Sequence, residues 1–476
     1  MHNQIVFAFF LYFLILLAIG LFSHKKQTSS ADFIVGNRSL NFWLTALSAH
    51  ASDMSAWLFM AFPAALFIKG LPGFWIALGL ILGMFLNWQF IAEKLRRETE
   101  KYNSFTLSTF FERRFMDNTG VLRVLTALMS LVYLTIYLGS GLYAMGLLFN
   151  SIFGIDYYLG ISIATFVVLT YVFFGGFITV AWTDFVQGMF LLFVIALVAI
   201  LSYLHLPEGW NSIKIIADTR SISLDWIDSA SMYGFMGIIF SILMFGLGYF
   251  GQPHIITKFM GIKSPSEMTK AKYLGMTWQI LSLSAAGLIG LVGLAFFPDG
   301  LQKPELVFVE IVKVLFHPFL VGFFLCGMIA ANMSTMDSQI LVCASVLSED
   351  FYKHIFKKNA SPLELLRASR ASVLLISLCA FLIASFTNST ISSMVLYAWS
   401  GLGSSFGPLV ITSLYDSKAN RQGAIAGILV GGLVSGFWPI MNPYLSSITI
   451  PNIIPAFFAG LFSIYIVSRM TRSSAL

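Results

Sequence analysis

The sequence predicts an all-α integral membrane protein of about thirteen transmembrane helices. Two observations lead there. Hydrophobic residues occupy 58% of 476 positions and charged residues only 11%, with a mean hydropathy of +0.83; a water-soluble domain is about a quarter charged. The apolar residues are also gathered into thirteen stretches, each close to the ~20 residues a helix needs to cross ~30 Å of hydrocarbon.

The stretches run 4–22, 41–68, 72–92, 122–149, 157–177, 180–204, 229–252, 273–297, 316–346, 371–388, 393–414, 422–440 and 451–468. Several exceed the minimum, which permits tilt or a break. The first is retained rather than cleaved: it has no basic leader and no small-residue cleavage site, and its positive charges follow it. The second holds ASDMSAW with Pro63 behind it, where Ser, Asp and Ser compete for backbone hydrogen bonds and favour a local break. The sixth begins close to Asp184. The seventh runs into FGLGYFGQPH (245–254), glycine-rich and closed by Pro253, and the ninth carries AANMSTMDSQ (330–339). The eleventh holds SGLGSSFGP (400–408), a third irregular segment unless its small residues serve only close helix packing. Irregular backbone at this depth is tolerated where it lines a cavity or binds an ion. Cys326, Cys343 and Cys379 lie in apolar stretches, and their odd number argues against a disulfide framework.

Basic residues orient the bundle. With the N-terminus outside, inner loops hold 23 of the 28 Lys and Arg, from Lys25, Lys26 and Arg38 to Arg469 and Arg472; Lys258 counts among them. Lys69, Lys214, Arg220, Lys303 and Lys313 are left outside. The +6 formal charge then belongs to a cytoplasmic membrane face and calls for no nucleic-acid partner.

Of 22 acids only Asp53, Asp184 and Asp337 fall inside the stretches, and no Lys or Arg sits clearly mid-stretch to neutralise them. A carboxylate at membrane depth costs about 2.5–3.5 kcal/mol on insertion scales, so three of them call for a mobile cation or a proton. The plainer alternatives are a capped turn at Asp53 and a helix cap at Asp184. On a helix, Ser334, Asp337 and Ser338 share one face with Thr335 beside them. These hard oxygens, without thiol or imidazole, suit Na+; the alternative is hydroxyls bonded back to their own helix.

GNRSLNFWLTALSAHASDMSAW (36–57), TIYLGSG (135–141), GGFITVAWTD (175–184), GLGYFGQPHIITKFM (246–260), AANMSTMDSQILVC (330–343) and YAWSGLGSSFGP (397–408) stand in this order. Through them nearly the whole chain resembles the sodium/solute symporter family, and within it the bacterial sodium/proline symporters. The resemblance implies one transmembrane transporter domain over 1–476, with the inverted five-plus-five repeat of the LeuT-type amino-acid transporter fold. Residues 41–204 and 229–414 would form the repeats, with helices 4–22, 422–440 and 451–468 peripheral. It implies a sodium ion between the broken second stretch and the ninth, held by the carbonyls of Ala51, Met54 and Ala331 and the hydroxyls of Ser334 and Thr335. Asp53, Asp184, Asp337 and Ser338 would tune that site or form a second cation site. Ser55, Ala56, Trp57, Tyr137, Phe245, Tyr249 and Pro253 would line the substrate pocket.

The activity implied is sodium-coupled symport by alternating access in the bacterial inner membrane. L-Proline is the leading solute, and another amino acid or a small carboxylate is the alternative. Partners would be the solute, Na+ and the lipid bilayer, with no cofactor. The chain departs from the proline pattern at informative places: Ala56 and Phe245 stand where proline-type members carry Gly and Trp, and Ala61 and Ala64 stand for Gly. His50 replaces a small residue, and Asp337 replaces a hydroxyl. An enzyme is disfavoured because HExxH and Walker-type loops are absent. A membrane sensor is disfavoured because the sequence stops soon after its last stretch. A channel is the remaining alternative, separable by uptake against a gradient.

Overall fold

The computed structural model describes residues 2–23, 30–172, 176–227, 232–446 and 448–471. Lys25, Lys26, Gly175, Arg472 and the first residues of the 229–252 stretch lie outside them. Helices follow each apolar stretch: α1 (His2–Ser23), α2 (Phe42–Met54), α3 (Ala61–Lys69), α4 (Phe74–Leu86), α5 (Val121–Phe153), α6 (Tyr157–Val172) and α7 (Phe177–Leu204), then α8 (Met232–Gly246), α9 (Pro253–Met260), α10 (Met268–Phe296) and α11 (Pro318–Ser345), and finally α12 (Pro362–Phe386), α13 (Ile391–Tyr415), α14 (Arg421–Leu445) and α15 (Ile453–Met470). Among the described residues, ten helical segments are long and apolar enough to cross a membrane, or eleven when the bent pair α2–α3 counts as one span; α1 and α6 contain shorter apolar helices. The only β pairing among those residues is an isolated parallel bridge between Leu40 and Ile262. It ties the entry of α2 to the exit of α9.

Local chemistry sets the ends. Asn41 caps α2 by accepting from the Leu44 amide at 2.9 Å, and Ser361 and Thr390 open α12 and α13 with capping boxes. Pro253, Pro318 and Pro362 stand in first turns, where a missing N–H breaks no helical bond. Before α5, Asp117 accepts from the Leu122 amide (2.7 Å) and the Thr119 amide (3.0 Å), with Arg421 at 2.8 Å. Burial pushes the Asp117 carboxyl up, but the Thr119 and Leu122 bonds and Arg421 outweigh it and hold it below the usual range.

Helices approach closely where both sides are small. A Cβ on Gly83 would fall 2.4 Å from the Gly246 carbonyl oxygen, so α4 and α8 touch backbone to backbone. For 400–408 the structure selects the second of the two readings, close packing through small residues. This segment is continuous helix with Pro408 inside α13, and its glycines face Tyr133, the Gly248 backbone and Phe457. At the centre, α7 packs on α2, α10 and α11, while α13 packs on α5 and on the turn after α8.

Candidate ion and solute site

Two breaks meet inside the bundle. α2 ends at Met54, Ser55 takes φ 46° and ψ −171°, and a 3-10 turn over Ala56–Leu58 leads into α3 at a bend of 67°. A positive φ is uncommon for a residue with a Cβ, and Ser55 is held there from two sides. Its Oγ accepts from the Trp57 amide (3.2 Å), and its own N–H donates to Thr335 Oγ1 of α11 (2.9 Å). The second break follows α8: Leu247–Gly251 tighten into a 3-10 turn, Gln252 is extended, and Pro253 starts α9. Gly248 is required there, because a Cβ would lie 1.8 Å from Trp399 Nε1. The Gln252 side-chain Nε2 donates to the Gly248 carbonyl at the break (3.0 Å) and to the Trp399 carbonyl of α13 (3.1 Å).

Beside the first break the expected oxygens converge. Ser334 Oγ donates to the carbonyls of Ala51 (2.8 Å) and Ala331 (3.0 Å). Thr335 Oγ1 lies 3.4 Å and 3.2 Å from the same two. Four of the five expected sodium ligands thus form one buried cluster of hard oxygens, the chemistry an alkali cation takes. The fifth residue, Met54, lines the adjoining cavity.

That cavity, about 320 Å³, is walled by Met54, Trp57, Leu80, Tyr137, Phe245, Val395, Leu396 and Trp399, with Asp53 as its acid. Phe245 and Trp57 meet at 5.6 Å between ring centroids. Asp53 accepts from the Tyr249 hydroxyl at 2.5 Å, and that hydroxyl accepts from Gln279 at 3.0 Å; Tyr249 stands edge-on to Trp399. Of the residues expected around the solute, Trp57, Tyr137 and Phe245 line this cavity, and Tyr249 reaches it through Asp53. Ser55 and Ala56 are buried behind it in the turn. Pro253 is placed elsewhere, in a second cavity of about 450 Å³ with Thr257, Lys258 and Ser338. The second cavity shares Phe105 and Thr106 with a vestibule of about 770 Å³ that carries Arg113, Arg123, Lys353 and Lys358.

The expectation that no basic side chain neutralises the membrane acids is wrong for Asp184. Lys258, which the sequence grouped with the inner loops, is only 1% exposed and places its ammonium 3.0 Å from Asp184 Oδ2. The same oxygen accepts from Ser48 (2.6 Å) and Ser52 (3.3 Å), and Ser52 lies 2.8 Å from Ser338. Asp184 is also no helix cap, since α7 starts at Phe177. Asp337 is buried on α11 within electrostatic range of Tyr12, whose hydroxyl accepts from Gln187 (3.2 Å). His50 accepts from Trp88 Nε1 (3.1 Å) and packs against Gly275. Sequence reasoning missed Lys258, Gln279, Leu80, Val395, Leu396 and Trp399. Lys258 was findable, because Pro253 opens a helix that carries it inward, and Trp399 stood in a quoted motif without a role.

The sodium:solute symporter family profile matches residues 33–431. The chain belongs to that family. It is therefore an integral membrane transporter of sodium and a small solute, and not an enzyme. It is 43% identical to the high-affinity proline transporter PutP of Bacillus subtilis (strain 168) over 462 residues, 96% of each chain. It is 40% identical to a sodium/proline symporter of Staphylococcus aureus (strain JH9), covering 97% of this chain and 91% of that one. A solved Na+-coupled sialic acid symporter, in a substrate-bound outward-open state, superposes with a TM-score of 0.82 at 16% identity over 98% of both chains. At that identity the likeness speaks for the fold.

Proposed function

We propose that this symporter takes up L-proline with sodium by alternating access across a bacterial inner membrane. One observation carries the reading: the Ala51, Ala331, Ser334 and Thr335 oxygens gather at the broken helix whose next turn supplies Trp57 and whose last turn supplies Asp53 to an aromatic cavity. Sodium bound by α2 and α11 would fix Ser55 and with it the wall of the cavity, so each ligand strengthens the other by linkage. Met54 would add its carbonyl. Helix-break amides suit a carboxylate and helix-break carbonyls an ammonium, and the rings enclose a small apolar side chain. The names borne by the two relatives favour proline. Each inward positive charge gains about 2.3 kcal/mol per 100 mV of membrane potential.

The inverted repeat over 41–204 and 229–414 is supported by the paired breaks, one early in each half. Thirteen spans result if α1 and α6 cross as well, and the basic residues then favour N-out, C-in. Reporter fusions after Lys26 and Arg472 are expected to read cytoplasmic; a periplasmic reading at either refutes this topology. Proteoliposome uptake of labelled L-proline, with and without an inward sodium gradient and against a panel of unlabelled amino acids and small carboxylates, tests the function. Sodium-driven accumulation competed best by proline is expected. Uptake indifferent to sodium refutes the coupling, and stronger competition by another solute refutes proline.

A further inference from the structure

We propose that the Lys258 ammonium is a resident, tethered cation at the Asp184 oxygen cluster, standing where a second sodium ion would otherwise bind. The proposal rests on the sodium-coupled reading above and adds the residue that closes this second position.

The cluster has the makings of a cation site in its own right. Asp184 brings a carboxylate, and Ser48, Ser52 and Ser338 bring hydroxyls, all buried and linked within 2.6 to 3.3 Å. These are the hard oxygens that hold alkali cations. It lies next to the Ala51–Ser334 cluster: Ser52 follows Ala51 on α2, and Ser338 stands one helical turn beyond Ser334 on α11. Without a positive charge of its own, such a cluster would draw a second sodium. The charge is supplied by the chain. Lys258 Nζ sits 3.0 Å from Asp184 Oδ2, both side chains closed off from solvent, with the Phe177 ring 5.2 Å from the ammonium. The aromatic face adds a further favourable contact for a cation.

The ammonium serves only one carboxylate oxygen. Asp184 Oδ1 is buried without a hydrogen-bond partner among the described residues, so the donor set is not exhausted and a compact ion fits its chemistry once the lysine is shortened. Removing one member of a buried ion pair leaves the other uncompensated, and a mobile cation is the available remedy. Lys258 also lines the second cavity, which shares Phe105 and Thr106 with the vestibule.

The test is the charge moved per proline in proteoliposomes, with sodium equal on both sides and 100 mV negative inside. One charge limits accumulation to roughly fifty-fold and two charges to its square. The wild type is expected to show one charge and a hyperbolic sodium dependence. K258M is expected to show two charges and a sodium Hill coefficient approaching two. K258R, and D184N combined with K258M, are expected to return to one. A wild type that moves two charges overturns the proposal, and so does K258M transporting with one. If K258M does not transport, its thermal stability in detergent is read against NaCl with choline chloride as control. Steeper sodium stabilisation than in the wild type supports the second site, and equal stabilisation overturns it. A wild type with no sodium-driven uptake would instead sink the function proposed above.

Discussion

Replacing Ser334 and Thr335 separately by alanine distinguishes an ion ligand from a brace. Both hydroxyls contact the Ala51 and Ala331 carbonyls, Ser334 at 2.8 and 3.0 Å and Thr335 at 3.4 and 3.2 Å. Only Thr335 also receives the Ser55 amide, at 2.9 Å. Loss of a buried hydrogen-bonding partner costs about 1–3 kcal/mol, which is roughly a 5- to 150-fold rise in the sodium concentration for half-maximal uptake. Ser334→Ala, with the shorter contacts, is expected in the upper part of that range with little change in the solute half-saturation at saturating sodium. Thr335→Ala is expected to raise both, because it also frees the turn that carries Trp57. Thr335→Ser keeps the hydroxyl and is expected to restore both. The assay is initial proline uptake over a sodium series at constant ionic strength, normalised to protein abundance. Ordinary sodium dependence in both alanine variants would show that the ion binds elsewhere. Identical solute half-saturation in the two would show that Thr335 does not brace the break.

Phe245→Trp with Ala56→Gly is expected to shift competition toward proline, because the larger ring at the cavity wall and the smaller residue in the turn restore the proline-type pattern. A pocket change of this size is worth about 1–3 kcal/mol, and an unchanged competition ranking refutes the assignment of Phe245 to the solute. Gly248→Ala is expected to reduce uptake more than abundance, since its Cβ would force Trp399, 1.8 Å away at Nε1, to shift in the cavity wall; uptake at the wild-type level would refute that. Asp117→Asn is expected to lower thermal stability in detergent at pH 7 by about 1–3 kcal/mol. Because the folded carboxyl is held low, its contribution is complete above the unfolded value of about 4 and fades as pH falls through the lower folded value. The difference between wild type and variant should therefore close in acid, and a pH-independent gap would refute the charge as its cause.

What the sequence made legible was whatever a few neighbouring residues decide. Apolar runs marked the helices, and Ser–Asp–Ser and the glycines before Pro253 marked the two breaks. Hydroxyls one turn apart on α11 marked the face that meets α2. What stayed hidden depends on where a broken chain goes next. Lys258 reads as a loop residue until Pro253 starts a new helix that carries it onto Asp184. Pro253 itself reads as part of the solute pocket until the extended Gln252 redirects it to another cavity. SGLGSSFGP reads as irregular because its glycines are adapted to partners on α5, α15 and the turn after α8, which no local pattern reveals.

The bend at Ser55 also has a timetable. The amide it offers and the Thr335 hydroxyl that receives it are 280 residues apart. At about 5–20 residues per second, the ribosome needs roughly 14 to 56 s to make one after the other. For that interval the stretch around Asp53 resides in the translocon or the bilayer with only its local Ser–Asp–Ser chemistry and the Ser55–Trp57 bond to favour the break. The brace from Thr335 is added late in synthesis. A nascent chain halted before α11 would lack the Ser334 and Thr335 oxygens, and the ion site would come into being only when α11 arrives.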